Sequence, residues 1–171
     1  MHLYKKIYTS SKIIIAQIEG HAIAGGSGIV TACDFAFSIP EAKFGYTEVK
    51  IGFIPAIVKV LLLRKIGEAK AKELLLTGDL ITANEAKEYG FVNKVFAKAI
   101  IDEEVRKFAL NLCENASGQS LSTTKNMIGA IQGMDINEAF NYAAEQNAKS
   151  RSSEDCKKGI SAFINKENIS W

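Results

Sequence analysis

"IEGHAIAGGSGIVTACDF", residues Ile18 to Phe35, decides the fold. An apolar, β-branched segment, "KIIIAQIE" from Lys12 to Glu19, runs into a crowd of small residues: Gly20, Ala22, Ala24, Gly25, Gly26 and Gly28. The first part predicts a buried strand. Gly25 to Cys33 predicts a short helix whose small residues let it approach a neighbour closely. Three readings fit such a junction. In the first, glycine serves only the packing of a helix on a sheet. In the second, Gly20-His21-Ala22-Ile23-Ala24-Gly25 approximates a G-x-G-x-x-G dinucleotide site, with Glu41 beyond the next strand. Ala22, however, stands where glycine lets the backbone approach a pyrophosphate, and the absence of G-K-[ST] excludes a P-loop. The third reading is an oxyanion site. A helix start exposes unpaired N–H groups and the positive end of its dipole, and glycine lets a ligand oxygen come near them. A carbonyl held there converts more easily to an enolate, because negative charge develops on its oxygen. Enolate chemistry then needs a proton carrier, and "FGYTEVKIG" offers Glu48 on a nearby irregular loop.

Outward from this stretch, "FAFSI" (Phe35 to Ile39) predicts a second strand ended by Pro40, and "AKFGYTEVKIGFIPA" a short strand followed by a loop. "IVKVLLLRKIG" and "EAKAKELLLTG" predict two consecutive helices closed by Gly67 and Gly78. "TANEAKEYG" carries a capping box, Thr82 with Glu85, and ends at Gly90. "FVNKVF" is the last strand. Beyond Ala97 the pattern is helical, with Ile101, Val105, Phe108, Ala109 and Leu112 on one face and a second capping box at Asp135 and Glu138. The expected organisation is a core over residues 1–97 that carries the small-residue segment, then a helical region over 98–171.

A chain of 171 residues, 47% hydrophobic and 23% charged, fits a globular protein. A net charge of +2, with basic residues scattered among acidic ones, argues against nucleic acid as a partner. Cys33, Cys113 and Cys156 form no CxxC pair and His2 and His21 are isolated, so neither a disulfide framework nor a metal site is expected. No apolar run reaches the roughly 20 residues that span a bilayer, and "MHLYKKIYTSS" lacks signal-peptide features. The expectation is a soluble, cytoplasmic protein without membrane partners.

The stretch "IIIAQIEGHAIAGGSGIVTACDFAFSIPEAKFGYTEVKIGFIPA" closely resembles the enoyl-CoA hydratase/isomerase, or crotonase, family. The likeness continues through "LTGDLITANEAKEYGFVNKVF" to "EDCKKGISAFINKE", essentially the whole chain. It displaces the dinucleotide reading. The resemblance implies an α/β fold: part of a ββα spiral, followed by C-terminal helices that drive assembly into a homotrimer or a dimer of trimers. It implies a catalytic Gly25 whose N–H polarises an acyl-CoA thioester carbonyl, with Ala22, Ala24 and Gly26 beside it, and a catalytic Glu48 that moves the proton. Pro55 resembles the segment lining the acyl pocket. Phe163 and Lys166 match positions that reach the coenzyme A of an adjacent subunit, the ring near adenine and the ammonium near phosphate. No separate cofactor is implied, because coenzyme A belongs to the substrate. Asp34 reads as structural.

Fatty-acid-type hydratases carry a further glutamate where this chain has Gly28. With one carboxylate, both hydration of a 2-enoyl thioester and double-bond isomerisation remain open. The wider context resembles bacterial hydratases of the branched or glutaconyl-CoA type, from leucine and isoprenoid breakdown. A non-catalytic oligomerising remnant is the further alternative. The spiral turns that precede "KIIIAQIE" in the family, and the A-x-x-A-G-x-D type segment with the other oxyanion N–H, have no counterpart in this sequence. The chain is therefore expected to be an N-terminally truncated portion with exposed apolar surface and little activity alone, since one lost oxyanion donor costs about 10²–10³ in turnover.

Overall fold

The computed structural model describes Met1–Trp171. The chain packs as two units, Met1–Ser10 with Ile14–Arg106, and Ser11–Ile13 with Lys107–Trp171. In chain order the elements are α1 (His2–Tyr8), β1 (Ile15–Ile18), β2 (Ala22–Ile23), α2 (Gly25–Ala32), β3 (Phe35–Ser38), β4 (Lys43–Gly45) and a 3-10 helix (Thr47–Ile51). They continue as α3 (Val58–Thr77), β5 (Ile81–Thr82), α4 (Ala83–Glu88), β6 (Lys94–Val95), α5 (Ile101–Asn115), α6 (Gly118–Ile131), α7 (Ile136–Arg151) and α8 (Glu154–Asn165).

The first unit is a spiral built on two three-stranded sheets. In one sheet β1 and β3 pair in parallel, Ile15 opposite Phe35, and β6 joins β3 in parallel. In the other, β2 and β4 pair in parallel, Ala22 opposite Phe44 and Ile23 opposite Gly45, and β5 adds antiparallel to β4. Parallel neighbours need a crossover between them. Here each turn gives one strand to each sheet and then a helix: β1, β2, α2, then β3, β4, α3. Strands, helices and the segments between them all contribute to the core, among them Phe44, Tyr46, Leu62, Leu74, Phe91 and Ile101. The Phe44 and Phe91 rings meet edge to face with centroids 5.5 Å apart.

Local signals account for most boundaries. The two helices expected from "IVKVLLLRKIG" and "EAKAKELLLTG" run as α3 with a break at Gly67 (φ 74°, ψ 169°), and Gly78 closes it at φ 68°. Only glycine enters the Gly67 conformation without steric cost. The Thr82/Glu85 capping box is complete at the start of α4. The Lys65 ammonium donates to the carbonyls of Val30, Thr31 and Cys33 at 3.1, 3.4 and 3.0 Å, placing a cation at the C-terminus of α2. Burial draws this ammonium below the ordinary lysine value. Asp34 accepts from Ile14 N–H at 2.7 Å, holding the entrance of β1 to β3.

Four elements depart from the sequence reading, one of them the 3-10 helix Thr47–Ile51, which stands where the sequence predicts a loop. "MHLYKKIYTSS" carried no expected element, yet His2–Tyr8 is helical and packs on α2. Seven residues are too few for a stable isolated helix, so α1 draws its stability from that contact. β2 and β5 are two residues each, too short for any alternation to show in sequence.

The second unit is helical. The Asp135/Glu138 capping box opens α7, and Ser153 Oγ accepts from Cys156 N–H at the start of α8. Ser117 Oγ donates to Asp155 Oδ2 at 2.5 Å while accepting from Ser120 N–H, which ties the start of α6 to α8. Ile136, Phe140, Phe163 and Ile164 stand exposed on this unit, as do Ile51, Phe53 and Ile54 on the first. No helix is long and apolar enough to cross a membrane.

Candidate active site

The parallel pairing of β2 with β4 positions the site. Chain leaving β2 enters α2 at Gly25; chain leaving β4 enters the 3-10 helix that carries Glu48. Because the strands run the same way and in register, Gly25 and Glu48 emerge from the same end of one sheet. Of the residues singled out in the sequence, Ala22, Ala24, Gly25 and Gly26 thus lie in β2 and the turn that follows it, and Glu48 follows the partner strand β4. Ala22 is buried in β2. Gly26 lies so that a Cβ there would meet the Ala22 methyl at 3.9 Å, ordinary contact.

The turn into α2 is held by unusual backbone. Ala24 has φ 50° and ψ −116°, a conformation that costs an L residue of order 1–3 kcal/mol. Its N–H donates to Gly45 O at 2.8 Å and its carbonyl accepts from Gly28 N–H at 3.0 Å, which begins the helical ladder. No side chain caps α2, and no acidic residue lies in its first turn. The first N–H groups of a helix have no partner within it, and Gly25 is exposed at this point. An electronegative atom brought here meets bare donors and an uncompensated dipole. We expect Ala24→Gly to raise stability by about 1 kcal/mol, strain relief outweighing the entropy of the added glycine. Thermal melting reads this directly.

Glu48 Oε2 is buried and makes no hydrogen bond. A buried carboxylate oxygen without a partner is costly and rare enough to require an account. The 3-10 helix that holds it carries the exposed Lys50–Asp79 ion pair at 2.7 Å on its outer side and is closed by Phe53 N–H donating to Glu48 O at 3.0 Å. No group of three or more metal-type side chains surrounds it.

The structure also shows what occupies the space beside Gly28. A Cβ there would lie 2.4 Å from Val58 Cγ1 and 2.9 and 3.2 Å from Cε1 and Cζ of Tyr4. The Tyr4 hydroxyl donates to Gly25 O at 3.3 Å. Tyr4 and Val58 therefore border α2 where a side chain at position 28 would project. The sequence shows glycine here but gives no signal of its neighbours, which come from α1 and the start of α3. Pro55 is half-buried in the loop leading to α3.

Phe163 and Lys166 belong to the second unit. Phe163 lies on α8 with 86% of its surface exposed, and Lys166 closes α8 in a left-handed conformation, φ 56°.

A sequence profile described as enoyl-CoA hydratase/isomerase matches residues 1–171. A Thermus thermophilus protein carrying an enoyl-CoA hydratase name is 44% identical over 166 residues, covering 97% of this chain and 65% of its own length. A crotonyl-CoA hydratase of Syntrophomonas wolfei is 33% identical, covering 99% of this chain and 65% of its own. This chain thus spans about two thirds of the length of these relatives. Among solved structures, an enoyl-CoA hydratase of Mycobacterium smegmatis superposes with a TM-score of 0.90 at 27% identity, over 98% of this chain and 65% of that one.

Proposed function

The chain belongs to the enoyl-CoA hydratase/isomerase family, and from that premise we propose that the whole protein adds water to a 2-enoyl-CoA thioester. The single observation that carries the reading is the unpartnered, buried Oε2 of Glu48 at the sheet end where α2 starts uncapped at Gly25. The Gly25 N–H donates to the thioester oxygen as it gains charge. Glu48 takes a proton from water as the water oxygen bonds to the β-carbon, and electrons move into the enolate. The same carboxyl group then returns a proton to the α-carbon. Pro55 borders the acyl group.

Residues 1–97 serve in this reading as the spiral core and 98–171 as the region that assembles a homotrimer or a dimer of trimers. Phe163 and Lys166 offer a ring and a cation to coenzyme A in a neighbouring copy. In this reading the whole protein also holds a second oxyanion donor and the rest of the coenzyme site. The branched or glutaconyl-type acyl group, leucine catabolism and the cytoplasm as location belong to the same proposal. Double-bond isomerisation is the second reading. It is favoured by the crowding of Tyr4 and Val58 on Gly28, which leaves one carboxylate to act alone.

The test is product analysis. The protein with its full oxyanion site is incubated with crotonyl-CoA and with a 3-enoyl-CoA. A 3-hydroxyacyl-CoA from the first supports hydration, and a 2-enoyl-CoA from the second alone supports isomerisation. The 171-residue chain by itself is expected to turn over little of either. Absence of both products from the complete site, with no acyl-CoA shift in its melting, overturns the reading.

A further inference from the structure

Tyr46 is completely buried, although it stands between β4 and the 3-10 helix that bears Glu48. Its hydroxyl lies 2.5 Å from Thr31 Oγ1, on α2. The direction of this bond follows from counting protons. Thr31 has one hydroxyl hydrogen and gives it to Ser27 O at 2.8 Å, so the phenol donates and Thr31 Oγ1 accepts. One turn earlier on the same helix face, Ser27 Oγ donates to Ala22 O at 2.6 Å and accepts from Gly45 N–H at 3.1 Å. Ser27, Thr31 and Tyr46 are all buried. Two polar links, through Ser27 and through Thr31, therefore join α2 to the last residue of β4 and to the residue that follows it.

Their placement matters because each flanks a proposed reacting group. Ser27 is two residues beyond Gly25, and Tyr46 is two residues before Glu48. We propose that the Tyr46–Thr31 hydrogen bond is a positioning device that fixes the Glu48 carboxyl group relative to the Gly25 amide. The inference rests on the hydratase/isomerase reading for its consequence in catalysis, but not for its geometry. Burial pushes the phenol well above the ordinary tyrosine value; the Thr31 hydrogen bond opposes this and the charges of Glu48 and Tyr4 add to it. The phenol thus stays protonated, and the link stays made, across the whole working pH range.

Thr31→Val is the sharper probe, because it keeps the side-chain shape and leaves both the Tyr46 phenol and Glu48 in place. Two measurements are made. In the 171-residue chain, the carboxyl signal of ¹³C-labelled Glu48, assigned by its absence in Glu48→Gln, is titrated in wild type, Thr31→Val and Thr31→Ser. A moved signal or midpoint in the valine variant, recovered in the serine variant that keeps the hydroxyl, supports the proposal. An unmoved signal overturns it, whatever the enzyme activity. In the complete active protein, Thr31→Val and Tyr46→Phe should each lower kcat about 10- to 100-fold with KM nearly unchanged, as expected for a misplaced reacting group. The double variant should be no worse than either single one. A lower melting temperature with kcat intact would reduce the bond to a structural role and end the proposal. If the wild-type protein shows neither activity, the functional reading falls, while the Glu48 titration still decides the positioning claim.

Discussion

Exchange of Glu48 for glutamine is expected to lower turnover of a 2-enoyl-CoA by the complete protein about 10²- to 10⁴-fold, the usual loss when a positioned acid–base group is removed. Glutamine keeps the shape of the side chain but cannot take up or return a proton. Its effect on stability should run the other way. Glu48 Oε2 is buried with no hydrogen-bond partner, so the wild-type fold bears the cost of desolvating a carboxylate oxygen with no compensating bond. The neutral amide should leave the melting temperature unchanged or raise it, a trade between activity and stability common at active sites. The paired measurement is consumption of the enoyl thioester by its ultraviolet absorbance, together with thermal melting. Turnover equal to wild type would remove Glu48 from the mechanism. A large fall in melting temperature would show that its role is structural.

The largest effect on stability is expected at Gly28. Any Cβ at this position would stand 2.4 Å from Val58 Cγ1 and 2.9 Å from the Tyr4 ring, well inside contact distance. Overpacking of this kind costs about 1–3 kcal/mol, and Gly28→Ala should lower the melting temperature by roughly 2–4 °C for each kcal/mol in a chain of this size. Gly28→Glu, which would add a carboxyl group at this position, should be worse. It must displace Tyr4 and Val58 before its carboxyl group can reach any substrate. Val58→Ala in the same chain should return much of the lost stability, because the two substitutions share one space and do not add. Calorimetry of the two single variants and the double variant measures this coupling. Strict additivity would show that the crowding is relieved elsewhere.

The two probes bear on different parts of the site. Glu48 tests whether the group left unpartnered by the fold is the one that moves the proton. Gly28 tests whether the single carboxylate is enforced by packing. If both results hold, the chemistry is carried by one carboxyl group, because the neighbouring helices leave no room for a second beside α2.

The sequence by itself determined the elements whose causes are local. A β-branched run makes β1, glycines at Gly67 and Gly78 divide and end α3, and Thr82 with Glu85 and Asp135 with Glu138 start their helices through bonds spanning three residues. It also placed the small-residue turn and Glu48 within a recognisable family pattern. The tertiary structure alone decided what depends on residues distant in the chain. α1 is helical because α2 offers it a surface. β2 and β5 are strands only because β4 lies between them. The Tyr4 and Val58 contacts with Gly28, and the bond from Tyr46 to Thr31, join residues fifteen or more positions apart. Capping and turn energies are set by neighbours along the chain and can be read from it. Close approach and the pairing of buried polar groups are set by neighbours in space, and exist only once the spiral has closed.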